Sequence, residues 1–150
     1  ISACLVGSEM CIRDSGRILG VDKGHRIILV GVGNLGHALM QNFRFGDVGF
    51  TLSAAFDVDP RLVGTAVGGV PILDMVRLPD YVAENRPDVA LLTVPGGVAQ
   101  QVADQLVGLG IRGIWNFTNV ELSAAAEGVR FEDVHFSDSL LTLSYRISQP

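Results

Sequence analysis

Arg26-Ile-Ile-Leu-Val-Gly-Val-Gly-Asn-Leu-Gly36 is the stretch of this 150-residue chain that decides its fold. Its first five residues form a short apolar run, which is typical of a parallel strand covered on both faces. Three glycines follow in the spacing Gly-x-Gly-x-x-Gly, and apolar residues then recur at helical spacing from Leu35 to Phe43. A strand, a glycine-rich turn and a helix in this order are typical of a dinucleotide-binding α/β domain.

The residues of this turn have distinct predicted tasks. Gly31 permits the tight turn, Gly33 lets the backbone approach a pyrophosphate, and Gly36 removes a side chain where helix packs on strand. The start of the helix offers free N–H groups and a positive dipole end to phosphates. The alternative is a turn that is merely tight, but the strand, helix and acidic residue around it favour binding. The predicted phosphate-binding residues are Gly31, Val32, Gly33, Asn34, Leu35 and Gly36.

An acidic residue follows the glycine turn at the sequence spacing expected of a residue that binds the ribose. Asp57 stands 21 residues after Gly36, at the end of a predicted strand. A carboxylate there accepts hydrogen bonds from both adenosine ribose hydroxyls and repels a 2′-phosphate, which favours NAD over NADP. Asp59 is the second candidate for this role. Alternatively, both residues only shape the turn before Pro60.

Two further strand ends supply the other predicted cofactor contacts. The stretch Thr93-Val94-Pro95-Gly96-Gly97 ends the fourth predicted strand, and we expect it to line the nicotinamide ribose, with Val94 and Pro95 as the predicted contacts. Asn116 and Phe117 end the fifth, where the amide can bond a cofactor hydroxyl and the ring can cover the nicotinamide. Both pairs lie at carboxyl ends of parallel strands, where ligands bind in this architecture. Simple strand termination explains both stretches nearly as well.

The rest of the chain alternates between strand-like and helix-like patterns. The predicted fold class is therefore α/β, a Rossmann-like, doubly wound and mostly parallel sheet. Asp74 is expected to cap a helix that runs to about Glu84. The predicted strands are 26–30, 51–56, 70–72, 88–94, 111–117 and 129–134, and the other predicted helices are 35–43, 98–107 and 137–147.

The chain divides into a leader and one domain. Residues 1–24 are predicted to be a leader, non-native to about residue 15, because they lack both hydrophobic periods and the pattern of a secretory signal. Residues 25–150 are predicted to form an NAD(H)-binding Rossmann domain. Cys4 and Cys11 both lie in the leader, so no disulfide or cysteine-based zinc site is expected in the domain.

Composition and charge narrow the function. The net charge is −5 and Lys23 is the only lysine, so the chain lacks the basic face that gripping DNA by itself requires. No apolar stretch is long enough to span a membrane, and we expect a cytoplasmic protein. The sequence presents no Ser/His/Asp set or metal-ligand cluster. No catalytic residue and no metal ligand is therefore predicted, and we expect sensing of NADH and NAD⁺ rather than catalysis.

Seven short stretches together resemble the Rex family of redox-sensing transcriptional repressors. No single stretch is diagnostic, but their order and spacing between residues 17 and 147 are specific. The stretches are Arg17-Ile-Leu-Gly20, Val30-Gly-Val-Gly-Asn-Leu-Gly-His-Ala-Leu39, Ala55-Phe-Asp-Val-Asp-Pro60, Gly68-Gly-Val-Pro71, Leu92-Thr-Val-Pro95, Ile114-Trp-Asn-Phe117 and Leu141-Thr-Leu-Ser-Tyr145.

The resemblance implies a homodimer with an N-terminal winged-helix DNA-binding domain and a C-terminal Rossmann domain for NADH or NAD⁺. In that family a raised NADH/NAD⁺ ratio releases operator DNA, and the final helix, here 137–147, is exchanged between subunits. The family's glycine turn falls on Gly31, Gly33 and Gly36, and its acidic strand end falls on Asp57.

Two departures from the family pattern stand out. The winged-helix domain is missing, so we expect a fragment that does not bind operator DNA alone. The family often has Asp where this chain has His135, at the start of the exchanged helix. That Asp helps to switch between the two nucleotide states, so the resemblance leaves the switching chemistry open here.

Three functions compete at this point. The chain is the sensing half of a repressor, the cofactor half of an NAD-dependent oxidoreductase, or a module for a related ligand such as coenzyme A. The scarcity of catalytic candidates argues against the enzyme, and Asp57 argues against coenzyme A, whose ribose carries a 3′-phosphate. The apolar final helix likewise has two options, exchange with a partner or packing on its own sheet.

Overall fold

Seven strands form one sheet in the computed structural model, which describes residues 24–123 and 128–149. In chain order they are β1 (His25–Val30), β2 (Phe50–Asp57), β3 (Ala66–Val67), β4 (Val70–Asp74), β5 (Val89–Leu92), β6 (Gly113–Asn116) and β7 (Arg130–Asp133). Their spatial order is β3-β4-β2-β1-β5-β6-β7, and only the β3–β4 pair is antiparallel. The predicted Rossmann-like, mostly parallel sheet is thereby confirmed. The predicted leader lies outside the described residues.

Four α-helices connect or follow these strands within the described ranges. They are α1 (Asn34–Asn42), α2 (Leu78–Asn85), α3 (Gly96–Gly108) and α4 (Phe136–Ile147). None of them combines the length and apolar character that crossing a membrane requires. In the sheet, β2 and β4 follow on one side of β1, and β5, β6 and β7 follow on the other side. The order therefore reverses between β1 and β5, and a crevice opens at the carboxyl ends of these strands.

The central strand is buried on both faces, as its apolar run predicts. Ile28 and Val30 point into one core with residues of α2 and α3, whereas Ile27 and Leu29 point into a second core on the side of α1. All four side chains are at most 2% exposed. Because successive strand residues alternate between faces, one continuous apolar run supplies both cores.

Some element boundaries differ from those predicted. β5 ends at Leu92, because the backbone turns there toward α3, whose first residue is Gly96. β6 begins only at Gly113, because Ile111 still bonds the end of α3 through its backbone N–H, 3.1 Å from the Leu106 carbonyl. Val94 and Ile111 pack into the core just outside these strands and thus extend the apolar pattern beyond the strand ends.

The short strand β3 was not predicted. It forms a hairpin with β4 in which Val67 pairs with Val70, and the two residues between them are Gly68 and Gly69. Both glycines have positive φ, +58° and +83°, which a two-residue hairpin turn requires. The Gly-Gly pair in the sequence could therefore have predicted this hairpin.

Asp74 was predicted to cap the helix itself, but it caps the 3-10 turn before α2, whose own N-cap residue is Arg77. Its Oδ1 accepts the N–H of Val76 at 3.0 Å, at the start of the 3-10 turn Met75–Arg77. This turn runs directly into α2 at Leu78. The carboxylate thus satisfies a backbone donor that a helix start leaves free.

Candidate functional site

The turn after β1 is shaped by two glycines that no other residue can replace. Gly31 has φ +98°, and a Cβ there would lie 2.9 Å from the backbone carbon and oxygen of Thr93. A Cβ at Gly36 would overlap the carbonyl oxygen of Gly31. These contacts give Gly31 the tight turn and Gly36 the close helix packing that the sequence analysis predicts.

Gly33 is different, because the space beside it is open. A Cβ there would meet no protein atom within 4 Å, and its φ of −89° is available to any residue. Gly33 is the N-cap residue of α1. The start of this helix has neither a side-chain cap nor an acidic residue in its first turn. The free N–H groups of a helix start attract anions. The turn therefore leaves room and donors for a phosphate beside Gly33.

The three remaining turn residues differ in exposure. Asn34 and Leu35 are exposed at the start of α1, whereas Val32 is only 4% exposed and packs into the core on the α1 side. The backbone of Val32, not its side chain, is thus the part that faces the turn.

Asp57 lies at the carboxyl end of β2 and holds the glycine turn with its carboxylate. Its Oδ2 accepts the N–H of Val32 at 2.6 Å, and its Oδ1 accepts the N–H of Asp59 at 2.9 Å. Each carboxylate oxygen can accept more than one hydrogen bond, so acceptors remain for ribose hydroxyls. The residue predicted to bind the ribose therefore stands in direct contact with the predicted phosphate turn.

The carboxylate of Asp59 is hydrogen-bonded to a neighbouring arginine. The guanidinium of Arg61 donates to both of its carboxylate oxygens, at 3.2 and 3.0 Å, and the Arg61 backbone N–H donates to Oδ1 at 2.9 Å. The side-chain hydrogen bond from Arg61, followed by the backbone one, holds the pKa of Asp59 below its usual range. This arrangement favours the turn-shaping alternative for Asp59 over a ribose contact.

Thr93, the first residue of the stretch predicted to line the nicotinamide ribose, also holds the glycine turn, which was not predicted. Its Oγ1 donates to the carbonyl oxygen of Gly31 at 2.5 Å, and its backbone N–H donates to the Val30 carbonyl at 2.9 Å. These bonds tie the end of β5 to the end of β1. In the sequence, the feature that could have indicated these bonds is a hydroxyl residue directly after an apolar strand.

A cavity of about 330 Å³ opens beside this turn, at the carboxyl ends of β1, β2 and β5. We call it the crevice. Four of the predicted site residues line it: Gly31, Asp57, Val94 and Pro95. The lining residues that the sequence analysis missed are Val30, Phe56, Val58, Met75, Val98, Gln101, Val102 and Gln105.

Asn116 and Phe117 do not line the crevice. Asn116 is 1% exposed, and both its amide nitrogen and its amide oxygen bond other parts of the chain. Phe117 is half-buried and packs against two other rings. Its ring centroid lies 4.6 Å from that of Trp115 and 5.9 Å from that of Phe136. Their contacts with a cofactor stay predictions.

His135 directly precedes α4, as predicted, but its side chain makes no capping bond to that helix. No residue of α4 is buried. Six large apolar or aromatic side chains on it are between 53% and 76% exposed: Phe136, Leu140, Leu141, Leu143, Tyr145 and Ile147. Packing of this helix on its own sheet, one of the two expected options, is therefore wrong for this chain.

A larger groove of about 460 Å³ lies at the opposite, amino edge of the sheet, on the side of α1. Its walls are mostly apolar and include Phe43, Phe50, Val89 and Trp115. Small-molecule sites need a few placed polar groups to orient the ligand. The crevice has them at the glycine turn and Asp57, so it is the better candidate site despite its smaller volume.

Comparisons with known proteins show which family the chain belongs to. The sequence profile of the CoA binding domain family matches residues 22–120. The redox-sensing transcriptional repressor Rex of Caldanaerobacter subterraneus subsp. tengcongensis is 42% identical over 133 residues, which are 89% of this chain and 59% of that protein. The chain thus spans about three fifths of the curated relative's length.

Solved structures of RSP, a Rex-family repressor, match the fold. RSP in complex with beta-NADH gives a TM-score of 0.87 at 40% identity, covering 93% of this chain and 67% of RSP. RSP in complex with beta-NAD⁺ and operator DNA gives a TM-score of 0.85 at 40% identity, covering 93% of this chain and 64% of RSP.

Proposed function

Because the chain belongs to the CoA binding domain family and, among its members, to the Rex repressors, we propose that it senses NAD(H) in a transcriptional repressor. In this proposal a rise in the NADH/NAD⁺ ratio releases the repressor from operator DNA. The observation that carries it is the likeness to RSP, which has been solved with NADH and with NAD⁺ and operator DNA. The matched relatives are regulators, so an oxidoreductase is not favoured.

The crevice and the glycine turn beside it offer the groups that such a nucleotide needs. We assign the pyrophosphate to the open space at Gly33 and the free N–H groups of Asn34, Leu35 and Gly36. We assign the adenosine ribose to the carboxylate of Asp57. The nicotinamide half would then extend toward Val94 and Pro95, which line the same cavity.

Coenzyme A is the second candidate ligand, because the matching profile is that of the CoA binding domain family. The carboxylate of Asp57 opposes it. A 3′-phosphate on the ribose would place like charges side by side at this strand end. NAD(H), whose ribose presents only hydroxyls there, is therefore the better ligand for this crevice.

The exposed helix α4 supports a homodimer. A terminal helix with six exposed large hydrophobic side chains is a surface that soluble proteins normally bury. We propose that each subunit places its α4 on the partner, as the family resemblance implies. The symmetric exchange buries both helices in one interface.

Operator binding belongs to the whole repressor in this proposal. We assign it to a winged-helix domain, because the described residues form a nucleotide-binding fold and the chain carries a net charge of −5. A repressor acts where the chromosome is, so we place the protein in the cytoplasm.

A domain exchange with RSP tests the regulatory function. The part of RSP that aligns with this chain is replaced by residues 24–150, and binding to the RSP operator is followed by gel shift at rising NADH/NAD⁺ ratios. We expect operator binding at low ratios and release at high ratios, as in unmodified RSP run in parallel. A chimera that binds the operator equally at all ratios would refute the sensing role.

A further inference from the structure

Asn116 is the centre of a buried hydrogen-bond network beside the crevice. Its Nδ2 donates to the Val120 carbonyl at 2.8 Å and to Oδ1 of Asp133 at 2.9 Å. Its Oδ1 accepts the backbone N–H of Thr118 at 3.0 Å and the Thr118 hydroxyl at 2.6 Å. Every polar atom of the amide is thus used. A buried network that is fully satisfied fixes the groups it joins in one arrangement.

On one side, this network reaches the wall of the crevice through the segment 117–123. A Cβ added to Gly96 would lie 2.9 Å from the Val120 side chain, so Val120 rests directly on the start of α3. Gln100 of α3 holds the same segment: its amide bonds both the backbone N–H and the carbonyl of Ser123 at 3.1 Å. Pro95 and Val98, which line the crevice, flank this contact.

On the other side, the network reaches the start of α4. Asp133 is the last residue of β7, and Val134 donates its N–H to the Asn116 carbonyl at 2.9 Å. Two residues later α4 begins at Phe136, whose ring lies 5.9 Å from that of Phe117. Asn116 therefore bonds both the segment that rests on the start of α3 and the strand that leads into α4.

We propose that Asn116 is a positioning residue that couples occupation of the crevice to the orientation of α4. The inference rests on the proposed function, because it concerns the nucleotide assigned to that crevice. A nucleotide that displaces the start of α3 moves Val120, and Asn116 passes that shift to Asp133 at the base of α4. The side chain of Asn116 thus acts through its neighbours and need not touch the ligand.

The segment 117–123 and β7 move together because breaking the hydrogen bonds of Asn116 costs free energy. A buried amide left without partners loses its hydrogen bonds and regains no contact with water. Independent movement of the segment 117–123 and of β7 would leave Asn116 unsatisfied on one side. A concerted shift keeps all of its bonds and is therefore favoured.

The Asn116–Asp133 bond can be cut without touching the crevice. Asp133→Ala removes the acceptor on β7, whereas Asp133→Asn keeps an oxygen there and serves as the matched control. The measurement is hydrogen exchange of the backbone amides of 136–147, with and without saturating NADH at one protein concentration. NADH affinity is measured on the same samples by calorimetry.

In the unmodified chain we expect NADH to change the exchange of 136–147. Asp133→Ala should reduce that change about threefold or more while NADH affinity stays within about twofold, and Asp133→Asn should retain it. Gln100→Ala, which cuts the other end of the link, should reduce it as well. A purely structural role for Asp133 would alter exchange equally with and without NADH.

Two results would overturn the inference. One is an NADH-induced change of normal size in Asp133→Ala and Gln100→Ala. The other is an unmodified chain that binds NADH without any response in 136–147. If the unmodified chain does not bind NADH at all, the proposed function itself fails, which is a separate and distinguishable outcome.

Discussion

Asp57 combines two tasks in one carboxylate, because it accepts the N–H of Val32 in the glycine turn and also faces the crevice. Asp57→Ala should weaken NADH binding by about 1–3 kcal/mol, the scale of a lost charge-assisted hydrogen bond. Titration of the variant and the unmodified chain with NADH measures the difference.

Asp57→Asn removes the charge and keeps one of the two acceptor oxygens. The amide oxygen still accepts a hydrogen bond and the NH2 group does not, while the negative charge that repels a 2′-phosphate is gone. We expect the preference for NADH over NADPH to shrink in this variant. Equal affinity of the unmodified chain for the two nucleotides would contradict the role given to Asp57.

Gly33 offers a sharper test of the phosphate site. Gly33→Val should abolish nucleotide binding and leave the fold intact, because its Cβ would meet only the space assigned to the pyrophosphate. Gly46→Val is the control, since Gly46 also has open space around it but lies outside the glycine turn, in the 3-10 turn before β2. Circular dichroism and calorimetry of both variants give the answer, and NADH binding by Gly33→Val would show that the turn is only structural.

Single residues were predictable to the extent that local sequence fixes their role. The spacing of Gly31, Gly33 and Gly36 and the position of Asp57 indicate a shape that the structure bears out around the turn. The bond of Thr93 to Gly31 was not predicted, because the two residues are 62 positions apart in the sequence. Asn116 ends its strand as expected, but only the fold could reveal that Thr118, Val120 and Asp133 take up its amide.

At the scale of elements, Asp88 joins the amino ends of three strands. Its Oδ2 accepts the N–H of Arg26 at the start of β1, and its Oδ1 accepts the guanidinium of Arg112 just before β6. Partial burial raises the pKa of Asp88, but the bonds from Arg26, Arg112 and His25 together outweigh it and hold the pKa below its usual value of 3.8.

The sign of this shift gives a pH prediction. A carboxylate whose pKa is lower in the folded state stabilises the fold above its unfolded pKa, and this contribution is lost as the pH falls through the folded pKa. Asp88→Asn should therefore lower the free energy of unfolding at pH 7 by about 1–2 kcal/mol. The difference from the unmodified chain should shrink as the pH falls below 3.8.

Urea unfolding from pH 7 to pH 3 measures this dependence, and Asp80→Asn is the control, because Asp80 is exposed on α2. A difference between Asp88→Asn and the unmodified chain that stays constant down to pH 3 would mean that the charge of Asp88 is not what joins the strands.

The order of strands and helices was predictable from hydrophobic periodicity, whereas two element features were not. The antiparallel β3 has only two residues, too short for any periodic pattern. The predicted strands at 88–94 and 111–117 were longer than β5 and β6, because the apolar pattern continues past the strand ends: Val94 and Ile111 pack into the core outside the strands. Periodicity reports burial, and burial continues beyond the ends of a strand.

At the scale of the whole molecule, α4 decides the assembly. Deletion of residues 137–150 should convert a dimer into a monomer, because the deleted helix carries most of the exposed apolar side chains that we assign to the interface. Sedimentation velocity of both chains at micromolar concentration tests this expectation. An intact chain that is already monomeric there would refute the exchange of α4. Sequence alone left this point open, since it cannot tell which surface an apolar helix covers.

The measurement that tests the central claim most directly is calorimetric titration of the unmodified chain with NADH, NAD⁺, NADPH and coenzyme A under one set of conditions. The crevice with Asp57 at its ribose end predicts saturable binding of NADH. It also predicts binding of NADPH and coenzyme A that is weaker by about tenfold or more, a difference of about 1.4 kcal/mol. Tighter binding of coenzyme A than of NADH, or no binding of NADH, would contradict the account.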